Sequence, residues 1–336
     1  KMAEKSAGPV GGVAQPSASA TTLPAESQPL PWSRSRLAAA PLQSSYSALL
    51  RKSPENHRGD DESSVATSPD DGSAGDQEVV EKVDDVLDPL QGGKVLGDRI
   101  HCAFERAMDC ADEGSAKVAF GAALLPDLPG LVRDKGVKPD LAGIADAVWD
   151  RTAGAKLGGP FCVRDLFGGP RAAEWEFLLP QHDGLTPDAL ADAIQNAGAG
   201  SPWTPEYAEQ VRARGFKPLR GYFEGIVDLV GQLPDKSWVV ADYKTNRLDR
   251  YAPRFVDTAM ADCHYLLQAL LYAVAVNRWL ERTKGWTYEN NFCGVAYLFL
   301  RGLKAGSSQG VWFQKPPPAL VRAVDALFTS AKERDV

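Results

Sequence analysis

Three ionisable residues, Asp228, Asp242 and Lys244, lie in two short apolar stretches of the sequence. Both stretches, residues 225–230 and 238–246, have the length and the β-branched composition of strands. Asp242 and Lys244 are two positions apart, so a strand would point both side chains to one face. Carboxylates and an ammonium group beside apolar strands are costly unless a cation or a substrate uses them. The pattern therefore predicts a site that holds Mg²⁺ and a scissile phosphate.

The chemistry expected of such a site is phosphodiester hydrolysis. A hard divalent cation with oxygen ligands supplies much of what this reaction needs. Asp228 and Asp242 are the candidate ligands, and the backbone carbonyl of Tyr243 is a further one. Lys244 could orient or help to deprotonate the attacking water, and could neutralise the pentacovalent transition state.

Side chains far from these strands could complete the site. His101, with a neutral imidazole, is an additional candidate metal ligand. Glu174 could contact the metal through water, but Glu176 lies on the same face of a predicted strand and competes for that role. Gln268 and Tyr272 lie one helical turn apart and could hydrogen-bond DNA or another active-site group.

Each of these residues also has a simpler interpretation when it is considered alone. An Asp-x-Lys sequence at a strand end is common by chance. His101 could be a surface or capping residue, and Glu174 could belong to a solvated strand face. Gln268 and Tyr272 could form the polar edge of an amphipathic helix. The catalytic interpretation therefore depends on the whole set.

The elements that must position these residues follow from apolar spacing and from turn residues. Residues 231–236 carry turn residues, so the two apolar stretches are predicted to form an antiparallel hairpin. A helix is expected at 97–108, and a short one near Ser44 with a serine cap. The other expected elements are helices within 115–155, a strand at 172–180, a loop-rich region at 181–204, helices at 205–214, 256–283 and 318–332, a buried strand at 292–302 and a short β segment at 310–313. The pattern indicates an α/β domain with a mixed central sheet flanked by helices.

Charge and composition divide the 336 residues unevenly. The net charge is −7, but residues 53–88 alone contain twelve acidic and two basic residues. Residues 1–42 are predicted to be a linker or disordered arm, and residues 43–336 a domain with a disordered acidic insertion at about 52–88. The sequence has no phosphate-binding G-x-x-x-x-G-K-[ST] loop, so it predicts no ATPase activity in this chain.

The five cysteines are scattered and show no C-x-x-C spacing, which gives zinc or iron–sulfur ligation little support. A sparse, odd set is typical of a reducing compartment, so a cytoplasmic location is expected. No apolar run approaches the roughly 18 residues that a membrane helix needs, and no membrane association is expected.

The candidate residues stand in motifs that together resemble the PD-(D/E)XK nuclease superfamily and, within it, the C-terminal nuclease domains of the RecB family. The resemblance covers roughly residues 43–330 with a gap over the acidic segment. Its motifs are Ser45-Tyr46-Ser47, Gly97 with His101-x-x-Phe104-Glu105, Glu174-x-Glu176-Phe177-x-x-Pro180, Gly225-Ile226-Val227-Asp228-Leu229-Val230, Asp242-Tyr243-Lys244-Thr245-Asn246, Tyr265-x-x-Gln268-x-x-x-Tyr272, Gly294-Val295-x-Tyr297-Leu298-Phe299-Leu300-Arg301-Gly302 and Gln309-Gly310-Val311.

The resemblance implies a restriction-endonuclease-like fold, in which a mixed central sheet is flanked by helices. The metal ligands would be His101, Asp228, Asp242 and the carbonyl of Tyr243, with one Mg²⁺ per site. Lys244 would be the catalytic lysine. Glu174, Gln268 and Tyr272 would complete the catalytic set.

The same resemblance implies Mg²⁺-dependent cleavage of single-stranded DNA during double-strand-break repair and recombination. The strand would be unwound by a helicase within a complex that also contains RecC and RecD, and the domain would help to load RecA. Because no helicase motor is present, the chain is expected to be the tail of a longer protein. A non-catalytic docking module for RecC or RecA that has kept the fold is the alternative. A related nuclease with a four-cysteine iron–sulfur cluster is a third, which the scattered cysteines disfavour.

Overall fold

The computed structural model describes residues 43–45, 84–216 and 219–328. The predicted arm at 1–42 lies outside these residues, as does the acidic insertion up to residue 83.

Six strands and nine α-helices are present in the described part of the chain. The strands are β1 Gln43–Ser45, β2 Arg171–Leu185, β3 Leu219–Gln232, β4 Trp238–Lys244, β5 Phe292–Phe299 and β6 Val311–Gln314. The helices are α1 Lys94–Met108, α2 Glu113–Leu124, α3 Leu141–Ala153, α4 Pro187–Ala197, α5 Pro205–Arg214, α6 Pro253–Asp262, α7 Tyr265–Leu280, α8 Tyr288–Asn291 and α9 Pro318–Asp325. Four 3₁₀ turns connect them at Leu128–Leu131, Val163–Gly168, Leu300–Gly302 and Ala326–Phe328.

The strands form one mixed sheet in the order β1-β3-β4-β5-β6, and β2 pairs with the other side of β3. The β3–β4 and β5–β6 pairs are antiparallel, whereas β4 and β5 are parallel. The predicted hairpin is therefore confirmed, and it lies at the centre of the sheet. This arrangement confirms the expected α/β fold with a mixed sheet.

Helices cover both faces of the sheet and form two separate hydrophobic cores. One core contains buried residues of α4, α5, α6, α7 and α9, and the other contains those of α1, α2 and α3. Strand residues alternate between the two: in β4, Val240 faces the first core while Val239 and Ala241 face the second. The result is a three-layer domain in which β4 and β5 are buried on both faces.

One helical prediction was wrong in its boundaries. The helix expected at 256–283 is broken into α6 and α7, which meet at 80°. His264 adopts a left-handed φ of 56° at that junction, although neither glycine nor proline is present there. Of the short ordered element expected near Ser44, the structure describes only Gln43–Ser45, which forms a strand parallel to β3, and the remainder lies outside the described residues.

The region at 181–204 was predicted to be loop-rich, but β2 continues to Leu185 and α4 begins at Pro187. The hydroxyl oxygen of Thr186 accepts a hydrogen bond from the backbone N–H of Ala189 at 3.1 Å, and proline occupies the first helical position. Both features are ordinary helix starts. The proline at position 187 therefore marks the start of a helix and not a loop.

The disordered insertion was predicted to extend to residue 88. This was wrong for residues 84–88, which are ordered. Leu87 and Leu90 are fully buried in the α1–α3 core. Asp85 lies 2.9 Å from the fully buried guanidinium of Arg301, and Asp88 lies 2.8 Å from Arg247. The acidic residues at the end of the segment are therefore partners of specific arginines.

Among the described residues no single helix is both long and apolar enough to span a membrane. Helices α6 and α7 meet the criteria of length and composition only when taken together as a bent pair.

Candidate active site

The site lies where β3 and β4 part. Their backbone pairing runs from Gln232 opposite Trp238 to Leu229 opposite Ala241. At the next position, Asp228 Oδ2 accepts a hydrogen bond of 2.8 Å from the backbone N–H of Tyr243. A carboxylate thus takes the place of a backbone acceptor, and its second oxygen stays available at the end of the paired region.

Strand β2 contributes Glu174 through an irregularity shared with β3. Backbone pairs flank it on both sides, Ala173 with Leu229 and Trp175 with Val227. The first pair faces the α1–α3 core and the second faces the opposite core, although residues two apart in a regular strand share a face. Both strands therefore reverse the faces of their side chains between these pairs without a change of register, and Glu174 adopts a left-handed φ of 47° there.

This irregularity places the two glutamates in different surroundings. Glu174 Oε1 lies 4.0 Å from His101 Nδ1, and Asp228 Oδ2 lies 3.5 Å from the same nitrogen. Glu176 is exposed. Left-handed backbone at a non-glycine residue costs of order 1–3 kcal/mol and is frequent at functional sites. The geometry favours Glu174 as the member of the site, and its role remains a prediction.

Helix α1 positions His101 from the layer of helices that contains α1, α2 and α3. Its apolar face places Phe104 against Tyr243, with ring centroids 4.1 Å apart and nearly parallel. Three residues earlier, His101 Nε2 lies 3.0 Å from the carbonyl oxygen of Tyr243, at hydrogen-bonding distance. The carbonyl predicted to be a ligand therefore faces the same space as the imidazole.

Asp242 and Lys244 point toward the other layer, where α7 lies. Lys244 Nζ is 2.8 Å from Asp242 Oδ2 and donates a hydrogen bond of 3.3 Å to Gln268 Oε1. Gln268 Nε2 in turn donates to the hydroxyl of Tyr272 at 2.9 Å. The structure thus brings together all the residues predicted for the site, on two adjoining sides of the strand ends.

Burial and mutual charge shift the ionisation of the acidic groups. Burial raises the pKa of Glu174 to about 7, and the charge of Asp228 adds to this effect. Burial and Asp228 also raise the pKa of Asp242 to about 7, although Lys244 opposes the shift. Burial opposes ionisation of Asp228 as well, but His101 and Lys244 hold its pKa below its usual value. Three carboxylates are therefore crowded where only part of their charge is compensated.

The two bases are held charged by the same neighbours. Burial disfavours the imidazolium form of His101, but the charge of Asp228 and a hydrogen bond to it raise the His101 pKa to about 9. Burial likewise disfavours the Lys244 ammonium, whereas Asp242 and Asp228 raise the pKa of Lys244 above its usual range. At neutral pH Lys244 is therefore an ammonium group.

The donor set fits a divalent cation. One potential ligand atom from each of His101, Glu174 and Asp228 lies within 4.8 Å of the other two. Carboxylate oxygens suit Mg²⁺ or Mn²⁺, and an imidazole nitrogen is tolerated by the latter. A cation at this position would stabilise the ionised carboxylates, whose pKa values burial and mutual repulsion raise.

Metal binding should release protons, and its affinity should rise with pH. Glu174 is half protonated and His101 fully protonated near neutrality, because their pKa values are about 7 and about 9. A ligand must lose its proton to bind, so affinity for Mn²⁺ should increase about tenfold per pH unit for each such proton. Between about pH 6 and pH 8, calorimetry in buffers of different ionisation enthalpy should detect one to two released protons.

The exposed neighbour supplies the control for that measurement. Glu176→Gln should leave the proton count unchanged, whereas Glu174→Gln should reduce it. An affinity that is flat over this pH range would contradict the assignment of these two residues as ligands.

Sequence reasoning missed three residues that surround Lys244 and the chain after it. Tyr265 and Tyr297 place their rings 4.3 Å and 5.4 Å from Lys244 Nζ, and the Tyr265 hydroxyl donates to Asn246 Oδ1 at 3.2 Å. Arg301 Nε donates a hydrogen bond of 2.9 Å to the carbonyl of Thr245. All three lie within the motifs above, where no role was assigned to them. The hydroxyl of Tyr297, in a strand otherwise apolar, was the available signal.

Comparison with known proteins gives a matching family and several similar proteins. Residues 78–333 match the PD-(D/E)XK nuclease superfamily. The chain is 31% identical over 268 residues to the RecBCD enzyme subunit RecB of Mycobacterium tuberculosis. The aligned region covers 72% of the chain and 24% of that protein. It is 29% identical over 320 residues to the same subunit of Mycolicibacterium smegmatis, covering 85% of the chain and 29% of that protein.

The same subunit of Escherichia coli is 32% identical over 164 residues, covering 47% of the chain and 13% of that protein. The chain thus spans less than a third of the length of these relatives.

Proposed function

Because the chain belongs to the PD-(D/E)XK nuclease superfamily, we propose that it is a divalent-metal-dependent deoxyribonuclease that hydrolyses phosphodiester bonds of single-stranded DNA. Superfamily membership supports nuclease activity. The dependence on Mg²⁺, with one ion per site, and the preference for single strands are the finer parts of the proposal.

The single observation that carries the proposal is that potential metal ligands lie on one side of the strand ends and an ammonium group lies on the other. On one side, His101, Glu174 and Asp228 present nitrogen and oxygen ligands close to one another. On the other, Lys244 holds an ammonium group 2.8 Å from Asp242. A cation site beside a fixed ammonium suits a reaction in which negative charge accumulates on a phosphate.

Each residue has a role that follows from its contacts. His101, Glu174 and Asp228 would hold the cation, with Asp242 and the Tyr243 carbonyl as further candidate ligands. A bound divalent cation supplies charge neutralisation on the phosphate and acidifies a water molecule. Asp242 holds Lys244 in place through their ion pair.

The raised pKa of Lys244 selects among its possible roles. A permanently charged ammonium group does not accept a proton from water. We therefore assign Lys244 to orienting the attacking water and to stabilising the additional negative charge of the transition state. Gln268 and Tyr272 fix that ammonium group from α7.

The test is degradation of end-labelled oligonucleotides by the purified chain. Cleavage should require Mg²⁺ or Mn²⁺, stop with a chelator and be faster on single than on double strands. An Asp228→Asn protein purified in parallel controls for contaminating nuclease, since it should leave DNA intact. Failure of the wild-type chain to cut either substrate at millimolar metal would overturn the proposal.

The assembly and the pathway belong to the same proposal. The relatives are named as subunits of a RecBCD enzyme, so we propose DNA, RecC and RecD as partners and double-strand-break repair and recombination as the context. Contact with RecA and a cytoplasmic location stay predictions. A docking module without catalysis would have no use for buried carboxylates that repel one another, so the site favours catalysis.

A further inference from the structure

Lys244 is held by a network that extends beyond its ion pair with Asp242. Its Nζ donates to Gln268 Oε1 at 3.3 Å, and the same oxygen accepts a hydrogen bond of 2.9 Å from the hydroxyl of Tyr297. The ring of Tyr265 lies 4.3 Å from Nζ. The ammonium group therefore has a carboxylate, an amide oxygen and an aromatic face around it, each of which favours its positive charge.

Gln268 can hold Lys244 only if its amide is fixed in one orientation. Its oxygen must face the ammonium, because its NH₂ group would place two donors against each other. Tyr272 accepts from Nε2 at 2.9 Å, and Tyr297 donates to Oε1. These two hydroxyls anchor both ends of the amide. Without the Tyr297 hydroxyl, Gln268 Oε1 would keep only its hydrogen bond from Lys244. The carboxylate of Asp242 would then dominate the position of the ammonium group.

Tyr297 is suited to this task because its own position is rigid. It lies in β5 directly opposite Asp242 in the parallel pair, so both side chains are set by one backbone register. Its side chain is fully buried. Its ring stacks on Tyr265 at 5.6 Å and meets Trp312 edge-on at 5.8 Å. The hydroxyl is therefore placed by packing and does not depend on Gln268.

We propose that Tyr297 is a positioning residue for the nuclease reaction, which acts through Gln268 to hold the Lys244 ammonium group in its working position. This inference rests on the proposed nuclease function. Tyr265 assists by supplying an aromatic face to the same ammonium. Tyr297 does not contact substrate in this scheme, so its loss should slow the reaction without weakening the binding of metal or DNA.

Tyr297→Phe is the variant that tests this role, since it removes only the hydroxyl. We expect kcat on single-stranded DNA to fall about tenfold, the scale of losing one hydrogen bond to a group that serves the transition state. KM and the affinity for Mn²⁺ should stay within about twofold of wild type. Tyr288→Phe is the matched control, because it removes another buried hydroxyl, one that donates to the Pro316 carbonyl at 2.8 Å.

A double-mutant cycle separates positioning from general stability. If Tyr297 acts through Gln268, then Tyr297→Phe should cost nothing further in kcat when Gln268→Met is already present. Tyr288→Phe should instead be without effect in both backgrounds. A tenfold loss that is fully additive with Gln268→Met, or an unchanged kcat in Tyr297→Phe, would overturn the inference.

A measurement that needs no cleavage keeps this test separate from that of the function. In ¹⁵N-lysine NMR, the buried Lys244 ammonium group should give a signal whose protons exchange slowly with water. That signal should shift or broaden in Tyr297→Phe and stay unchanged in Tyr288→Phe. If wild type cuts no DNA, the proposed function fails. If the signal is insensitive to Tyr297→Phe, the positioning inference fails on its own.

Discussion

Lys244→Met should lower the rate of DNA cleavage by at least about a thousandfold, the largest functional effect expected in this domain. The substitution keeps the length and apolar stem of the side chain but removes the ammonium group that lies 2.8 Å from Asp242. Charge stabilisation in a water-poor site is worth several kcal/mol to a transition state. Single-turnover cleavage of a labelled strand measures the loss directly.

The fold should survive this change. Asp242 would lose its partner, but burial and Asp228 already raise its pKa to about 7, so it can take up a proton at little cost. Lys117→Met is the matched control, since it removes a lysine that pairs with Asp150 at 2.7 Å on the surface. Its activity should equal that of wild type. Cleavage within about tenfold of wild type in folded Lys244→Met would remove Lys244 from the mechanism.

Arg301→Met should lower the free energy of unfolding by about 3–5 kcal/mol, the largest stability effect expected of a single substitution here. Arg301 is fully buried, pairs with Asp85 at 2.9 Å and donates to the Thr245 carbonyl at 2.9 Å. The variant leaves the nearly buried carboxylate of Asp85 and a backbone acceptor without this partner. Urea unfolding followed by circular dichroism gives the difference.

Two comparisons identify the cause. Asp85→Leu combined with Arg301→Met should recover part of the loss, because replacing both members of a buried pair is far less costly than removing one. Arg322→Met breaks an ion pair with Glu289 whose side chains are 68% and 51% exposed, and it should cost no more than about 1 kcal/mol. If Arg301→Met were as mild as Arg322→Met, the buried pair would not stabilise the fold.

The link through Arg301 also explains why the segment at 84–90 is ordered. Its acidic composition resembles that of the residues before it, and composition alone predicts disorder. Its carboxylates pair with Arg247 and Arg301, which follow β4 and β5 in the chain. A property that depends on residues more than 150 positions away is not readable from local sequence.

The break between α6 and α7 has a similar origin. The apolar periodicity runs across Cys263 and His264, and neither residue type marks a helix end. The left-handed φ at His264 turns the chain so that Tyr265 and Gln268 face Lys244. By contrast, the start of α4 has a local signal, the capping residue Thr186 followed by Pro187.

The amino-acid sequence by itself determined the central hairpin of this protein and the ionisable residues that it carries. Strand alternation and a short turn are local properties, so Asp228, Asp242 and Lys244 could be placed together from residue types alone. The tertiary structure decided which distant groups join them. The reversal of faces in β2 brought Glu174 to His101 and left Glu176 exposed, and the register of β5 placed Tyr297 beside Lys244. The physical reason is that register and layer packing depend on contacts between residues far apart in the chain, which local periodicity does not encode.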